Sequence, residues 1–191
     1  MSNKEIDMSA NTAARNSFLQ RLIGAMALDA AIYEEVEADR AATGQALAVV
    51  LLSSLAAGVG VRGFARPSVA TVVFMSTISL VAWVAWALLT FEIGGRLIPE
   101  PQTRVDAGEL LRTIGFASAP GLLRVLGIIP NASIPVFVGT ALWMVVATIV
   151  AVRQALDYKS TARAIAVCVL GWLLATAMAA VLGLFFGPAL S

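Results

Sequence analysis

Residues 69–93 read VATVVFMSTISLVAWVAWALLTFEI, and no charged side chain interrupts them until Glu92. A span of the hydrocarbon layer needs about 20 apolar residues as a helix. This stretch exceeds that and is long enough to tilt. A helix that is apolar on every side has no polar face to offer water, so this stretch reads as a membrane span.

The rest of the chain follows the same pattern. It has 191 residues, 59% hydrophobic and 13% charged, where soluble domains carry about 25% charge. Four more runs are candidate spans: about 43–61, 111–129, 134–152 and 163–187. Thr43 reads as the N-cap of the first. The expected fold is an all-α integral membrane protein, a bundle of five transmembrane helices preceded by an amphipathic helix. Residues 1–16 read as a polar, disordered N-terminus without the apolar core of a signal peptide. Residues 188–191 read as an external tail.

Charge placement sets the orientation. Lys4, Arg15, Arg21 and Arg40 precede the first span. Arg96, Arg104 and Arg112 follow the second, and Arg153, Lys159 and Arg163 follow the fourth. With five spans and the N-terminus inside, these ten basic residues are cytoplasmic. Arg62 and Arg66 are then the two outside, and Arg124 is left in the membrane. If the 111–129 segment turned back, the tally would be eight against five. The positive-inside rule therefore selects five spans, with a cytoplasmic N-terminus and an external C-terminus. The bacterial cytoplasmic membrane is the expected location.

The third run, LRTIGFASAPGLLRVLGII (111–129), carries Pro120 and Arg124. Pro120 removes a backbone hydrogen bond and should kink the helix, freeing the carbonyl of Phe116. Ser118 or a neighbouring helix is the expected donor to it. Gly115 with Ala119, and Ala117 with Gly121, are spaced for close helix approach. Arg124 falls in the outer half of the membrane. It either snorkels to the outer headgroups or lines an internal polar cavity. Glu92 closes the second span at the inner face and is expected to meet Arg96 or Arg112 rather than Arg124.

In the fifth run Gly171, Ala175, Ala179, Gly183 and Gly187 recur every four residues as a seam of small side chains. Such a seam packs helices within the bundle or joins two copies into a homo-oligomer. Trp83, Trp86, Trp143 and Trp172 lie too deep for an interfacial belt and read as core.

Residues 17–42 read as a cytoplasmic amphipathic helix, with Leu19, Ile23, Met26, Ala30 and Tyr33 on one stripe. It is expected to lie on the inner membrane surface or dock on the bundle. Its charges oppose the helix dipole: Arg15 and Arg21 come first, and Glu34, Glu35, Glu37 and Asp39 come last. The acidic cluster is either a solvated helix end or a contact for a cation or basic partner.

The chain has no histidine and one cysteine, Cys168. Neither a zinc pattern nor an internal disulfide is available, and no nucleophile–base pair is visible. The expectation is a protein that is not an enzyme, with no catalytic residue, metal or cofactor. A net charge of +1 offers no field for nucleic acid. Membrane lipids are the expected partners, with a cytoplasmic protein reached through 17–40 and 94–112.

The stretches 27–60, GFASAP (115–120) and 142–174 resemble the Yip family of five-span membrane proteins, in its short prokaryotic form. Gly115, Phe116 and Pro120 match that family's Gly-Tyr-then-proline pattern, with Phe in place of Tyr. Of the eukaryotic members' Asp-Leu-Tyr-Gly-Pro motif, AAIYEEV keeps only Tyr33. The resemblance implies a cytosolic N-terminus and a scaffold or adaptor role in membrane organisation or trafficking. The alternative is a small transporter or channel with a site around Pro120 and Arg124. Gly115, Phe116, Pro120, Arg124, Glu92, Tyr33, Glu34 and Glu35 are the candidate functional residues.

Overall fold

The computed structural model describes residues 16–61, 68–104 and 106–186; for Met75, Ser79 and 178–186 it describes the backbone alone. Among these residues all regular secondary structure is helical, with no strand. The helices are α1 (Phe18–Met26), α2 (Ala30–Ala38), α3 (Ala42–Gly60), α4 (Val69–Glu92), α5 (Ala107–Ala117), α6 (Ser133–Ala155) and α7 (Thr161–Phe186). A π turn, Ile93–Leu97, extends α4, and a 3-10 segment, Ala119–Ile128, follows α5.

Among the described residues three helices are long and apolar enough to cross a membrane: α3, α6, and α4 together with its π turn. Their side chains sort the opposite way from a water-soluble bundle. Leu47, Leu55, Phe74, Val81, Ile134 and Leu142 are exposed, while Ala46, Ser53, Thr140, Ala147 and Ala151 are buried. Small residues inside and large apolar ones outside suit helices that pack in lipid.

The expected continuous, kinked helix over 111–129 is two structures. The α-helix ends at Ala117, and Pro120 stands in the first turn of a ten-residue 3-10 segment. Runs of 3-10 longer than three or four residues are uncommon. This one fits its neighbour: Gly115 faces Ala46, Gly121 faces Ser53 and Gly127 faces Gly60. The glycines recur every six residues, two turns at three per turn. Their α3 partners recur every seven, about two turns at 3.6 per turn. All four residues of the expected pairs, Gly115/Ala119 and Ala117/Gly121, are buried, but the glycines that meet α3 are six apart rather than four, because the period changes at Ser118. The carbonyl that takes an outside donor is also not that of Phe116. It is Ser118 O, which accepts from Ser53 Oγ at 2.7 Å and from Gly121 N–H at 2.9 Å.

Contacts between the segments fix their directions. Gly58, late in α3, meets Val72, early in α4; Gly94, after α4, meets Leu156, after α6. Gly60 meets the 3-10 segment at Arg124 and Gly127, and Ser133, which opens α6, donates its hydroxyl to Gly127 O. Arg163, early in α7, donates to Pro99 O at 3.3 Å. The segments α3, α4, α5 with its 3-10 extension, and α6 thus run alternately between two ends, and α7 starts from the end that holds Pro99.

The 17–42 region is not one helix. Leu28, at φ +63°, breaks it, and Asp29 caps α2 through a hydrogen bond to Ala31 N–H at 3.0 Å. The result is a helical hairpin packed against the bundle: Trp143 Nε1 donates to Met26 O at 2.9 Å, and Ile32, Tyr33 and Val36 join the core with Ala147 and Ala151. The expected stripe is split as a consequence. Tyr33 is buried, whereas Leu19, Ile23 and Ala30 are exposed, because Phe18, Leu22 and Ala25 form the packed face. Thr43 is no N-cap either. The helix begins at Ala42 without a side-chain cap, and Thr43 Oγ1 donates back to Arg40 O at 3.0 Å.

Candidate functional site

At one end the hairpin and two loops are locked together. Arg21 is only 2% exposed. It donates to Glu35 Oε1 and Asp39 Oδ2, both at 2.8 Å, and to Gln45 Oε1 at 3.0 Å. Burial alone would lower its pKa, but the two carboxylates outweigh this and raise it. Burial likewise opposes ionisation of Glu35, yet Asn16 and Arg21 hold its pKa below the usual value. The acidic cluster is therefore answered from within the chain at Glu35 and Asp39, while Glu34 is exposed.

Arg112, expected as a loop charge, is 5% exposed and serves the other side of the hairpin. Its Nε donates to Val36 O at 3.1 Å and Glu37 O at 3.0 Å, and its NH2 group also donates to Glu37 O. These are carbonyls from the last turn of α2, where a cation also complements the helix dipole. Glu37 has the opposite environment from Glu35. Burial, with Asp157, Glu109 and Glu34 nearby, pushes its pKa up to about 7 against the pull of Arg112.

The 94–112 loop is fastened to the 156–163 loop. Tyr158 OH lies 2.8 Å from both Gly94 O and Ile98 O, Thr103 Oγ1 donates to Leu156 O at 2.9 Å, and Glu100 accepts from Lys159 N–H at 3.2 Å. Every described Asp, Glu, Lys and Arg except Arg124 belongs to the hairpin, to these loops or to the helix ends beside them.

Arg124 stands apart. It points into the bundle rather than away from it: Nε donates to Thr140 Oγ1 at 3.3 Å, and the guanidinium lies 5.5 Å from the Phe137 ring centre. Thr140 is seven residues into α6, about 10 Å from its start at 1.5 Å per residue. Arg124 borders an interhelical cavity of about 1410 Å³ walled by α3, α4, α6, α7 and the junction of α5 with the 3-10 segment. Arg124 turns inward to line a cavity, as one of the two readings has it, but the wall of that cavity is mostly apolar rather than polar. Glu92 borders the same cavity but pairs with Arg96 at 2.9 Å.

The remaining candidates separate by role. Phe116 is fully buried and meets Phe18 edge-on at 6.4 Å. Tyr33 is fully buried and donates to Ala25 O at 3.1 Å, tying α2 to α1. Pro120 and Gly115 are buried in the contact with α3. In α7, Gly171 makes room for Trp86, which stacks on Trp172 at 5.9 Å, and Ala175 lines the cavity. The side chains of Ala179 and Gly183, and all of Gly187, lie outside the described residues, as do residues 1–15, Arg62, Arg66 and the tail. The sequence reading missed Arg112, Tyr158 and Trp83, whose buried Nε1 has no hydrogen-bond partner. For Arg112 a signal was present: an arginine one turn inside an amphipathic helix that begins with the capping box of Asp106 and Glu109.

Comparison with family models, with curated proteins and with solved structures finds no match to this chain.

Proposed function

We propose that this is a five-span membrane protein of Yip-like type, a scaffold or adaptor rather than an enzyme, which presents a charged platform to a cytoplasmic partner. One observation carries the reading: apart from Arg124, the charges among the described residues collect at one end, on a hairpin and two loops that are hydrogen-bonded into a single surface. A platform held by buried arginines keeps its shape without a partner, and pre-organisation lowers the entropic cost of binding one. The segment lengths fit the five-span reading as well. With about 1.5 Å per residue in α5 and 2.0 Å in the 3-10 segment, the third segment reaches roughly 36 Å, more than a ~30 Å hydrocarbon core requires. The platform then faces the cytoplasm and the C-terminus lies outside, in a bacterial inner membrane.

The test is labelling of single cysteines by a membrane-impermeant maleimide in a Cys168→Ser background. Asn131→Cys should label in intact cells, and Lys159→Cys only after permeabilisation. Labelling of both from the same side would sink the five-span arrangement. Partner capture should then use surface changes such as Glu34→Arg, since deleting the hairpin would remove packed core. Loss of a stoichiometric partner in Glu34→Arg supports the adaptor role, and absence of any cytoplasmic partner of the intact protein overturns it. The second reading, a small transporter, is favoured by Arg124 in the interhelical cavity.

A further inference from the structure

We propose that the interhelical cavity is a binding site for an anionic phospholipid, its phosphate on Arg124 and its acyl chains along the apolar wall. The proposal rests on the membrane-embedded reading but not on the adaptor role.

The hydrogen-bonding capacity of the cavity is lopsided. Among its lining residues, the hydroxyls of Ser53, Ser54 and Thr148 already donate to the backbone carbonyls of Ser118, Val50 and Met144. Thr140, which receives the Arg124 Nε hydrogen bond, donates its own proton to Val136 O at 2.8 Å. The terminal nitrogens of Arg124 are left over. No described carboxylate pairs with Arg124. Glu92 is held by Arg96 at the other end, roughly 24 Å away if Thr140 and Leu156 mark the two levels along α6. An unpaired cation with free donors in apolar surroundings calls for a ligand that brings acceptors and negative charge.

Size and lining narrow the class. About 1410 Å³ exceeds the 300–1,000 Å³ usual for a small-molecule site. Leu88, Leu89, Val145 and Met144 supply wall that a free hydrated anion would leave unsatisfied. A phosphate-headed lipid meets both demands. Entering from the leaflet at the Gly127 end, it would sink about two helical turns to reach the guanidinium.

The experiment is native mass spectrometry of the full chain in detergent. It is titrated separately with phosphatidylglycerol, with diacylglycerol of the same chains, which lacks the phosphate, and with inorganic phosphate. Charge-assisted hydrogen bonds to one guanidinium correspond to about tenfold or more in retention of phosphatidylglycerol over diacylglycerol. Arg124→Gln should bring phosphatidylglycerol down to the diacylglycerol level and leave the latter unchanged. If Arg124→Gln fails to fold, Ala141→Phe, which narrows the cavity and keeps the charge, should reduce phosphatidylglycerol retention severalfold. Equal retention of the two lipids, a preference that survives Arg124→Gln, or one that survives Ala141→Phe overturns the proposal. Arg124-dependent binding of inorganic phosphate without lipid preference also overturns it, in favour of a free-anion site. The cysteine labelling involves no lipid, so failure of the topology and failure of the lipid site are read independently.

Discussion

Gly60, the last residue of α3, lies so close to Arg124 that a Cβ built on it would overlap the Arg124 carbonyl oxygen. The contact is backbone against backbone, so no rotamer change relieves it. It sets where the 3-10 segment runs, and so where the Arg124 side chain starts its path into the bundle.

Gly60→Ala should therefore destabilise the fold by about 1–3 kcal/mol, the usual cost of overpacking. Gly139→Ala, in α6 with nothing within 4 Å of the added Cβ, is the control. It should be neutral or gain up to about 1 kcal/mol from helix propensity. Thermal unfolding in one detergent compares the two. Equal stability of the variants would remove the close approach as a determinant of the fold.

Arg112→Met should expose the loss of the cap on α2. It leaves the Val36 and Glu37 carbonyls without their buried donor, at about 1–3 kcal/mol. Arg112→Lys should recover only part, since a single ammonium does not reproduce the forked guanidinium. Amide exchange across 30–38 checks this: protection there should fall before it falls in α6.

Glu37 should make stability depend on pH. Its pKa is pushed up to about 7 in the folded protein, while the unfolded value is near 4.3. Between these values the folded state holds the proton more tightly, so stability falls as pH rises through the window and levels off above about 7. Glu37→Gln should remove that fall and be the more stable protein at pH 8. Denaturation midpoints at pH 5 and pH 8 decide it; an unchanged pH dependence in Glu37→Gln would show that Glu37 ionises normally.

Tyr158→Phe should loosen the 94–112 loop. The lost hydroxyl serves Gly94 O and Ile98 O, and one such hydrogen bond contributes about 1 kcal/mol. Limited proteolysis near Arg104 is the readout, with faster cleavage in the variant and an intact membrane domain.

Glu92 and Arg96 show how far the sequence could be read. Their spacing of four on a helix predicts the ion pair that the structure contains. Hydropathy marked α3, α4 and α6 for the same reason: lipid exposure is written in side-chain composition, one residue at a time. Pro120 announced a kink, where the structure ends the α-helix at Ala117 and continues as 3-10. The 3-10 period beyond it was not legible, because it depends on which face of α3 receives glycines 115, 121 and 127. The hairpin escaped for a similar reason. Leu28 in a left-handed conformation has no composition signal, and the stripe from Leu19 to Tyr33 is equally regular whether or not the helix breaks.

By itself the sequence determined a helical chain with long apolar segments, a charged end and one isolated cation in the third run. These follow from local composition and the helical repeat. Only the tertiary structure decided that Arg21 and Arg112 are buried fasteners and that Arg124 turns into a cavity rather than away from it. Those roles depend on which carbonyls, carboxylates and walls other segments bring to a side chain, and that is a property of packing rather than of the residues themselves.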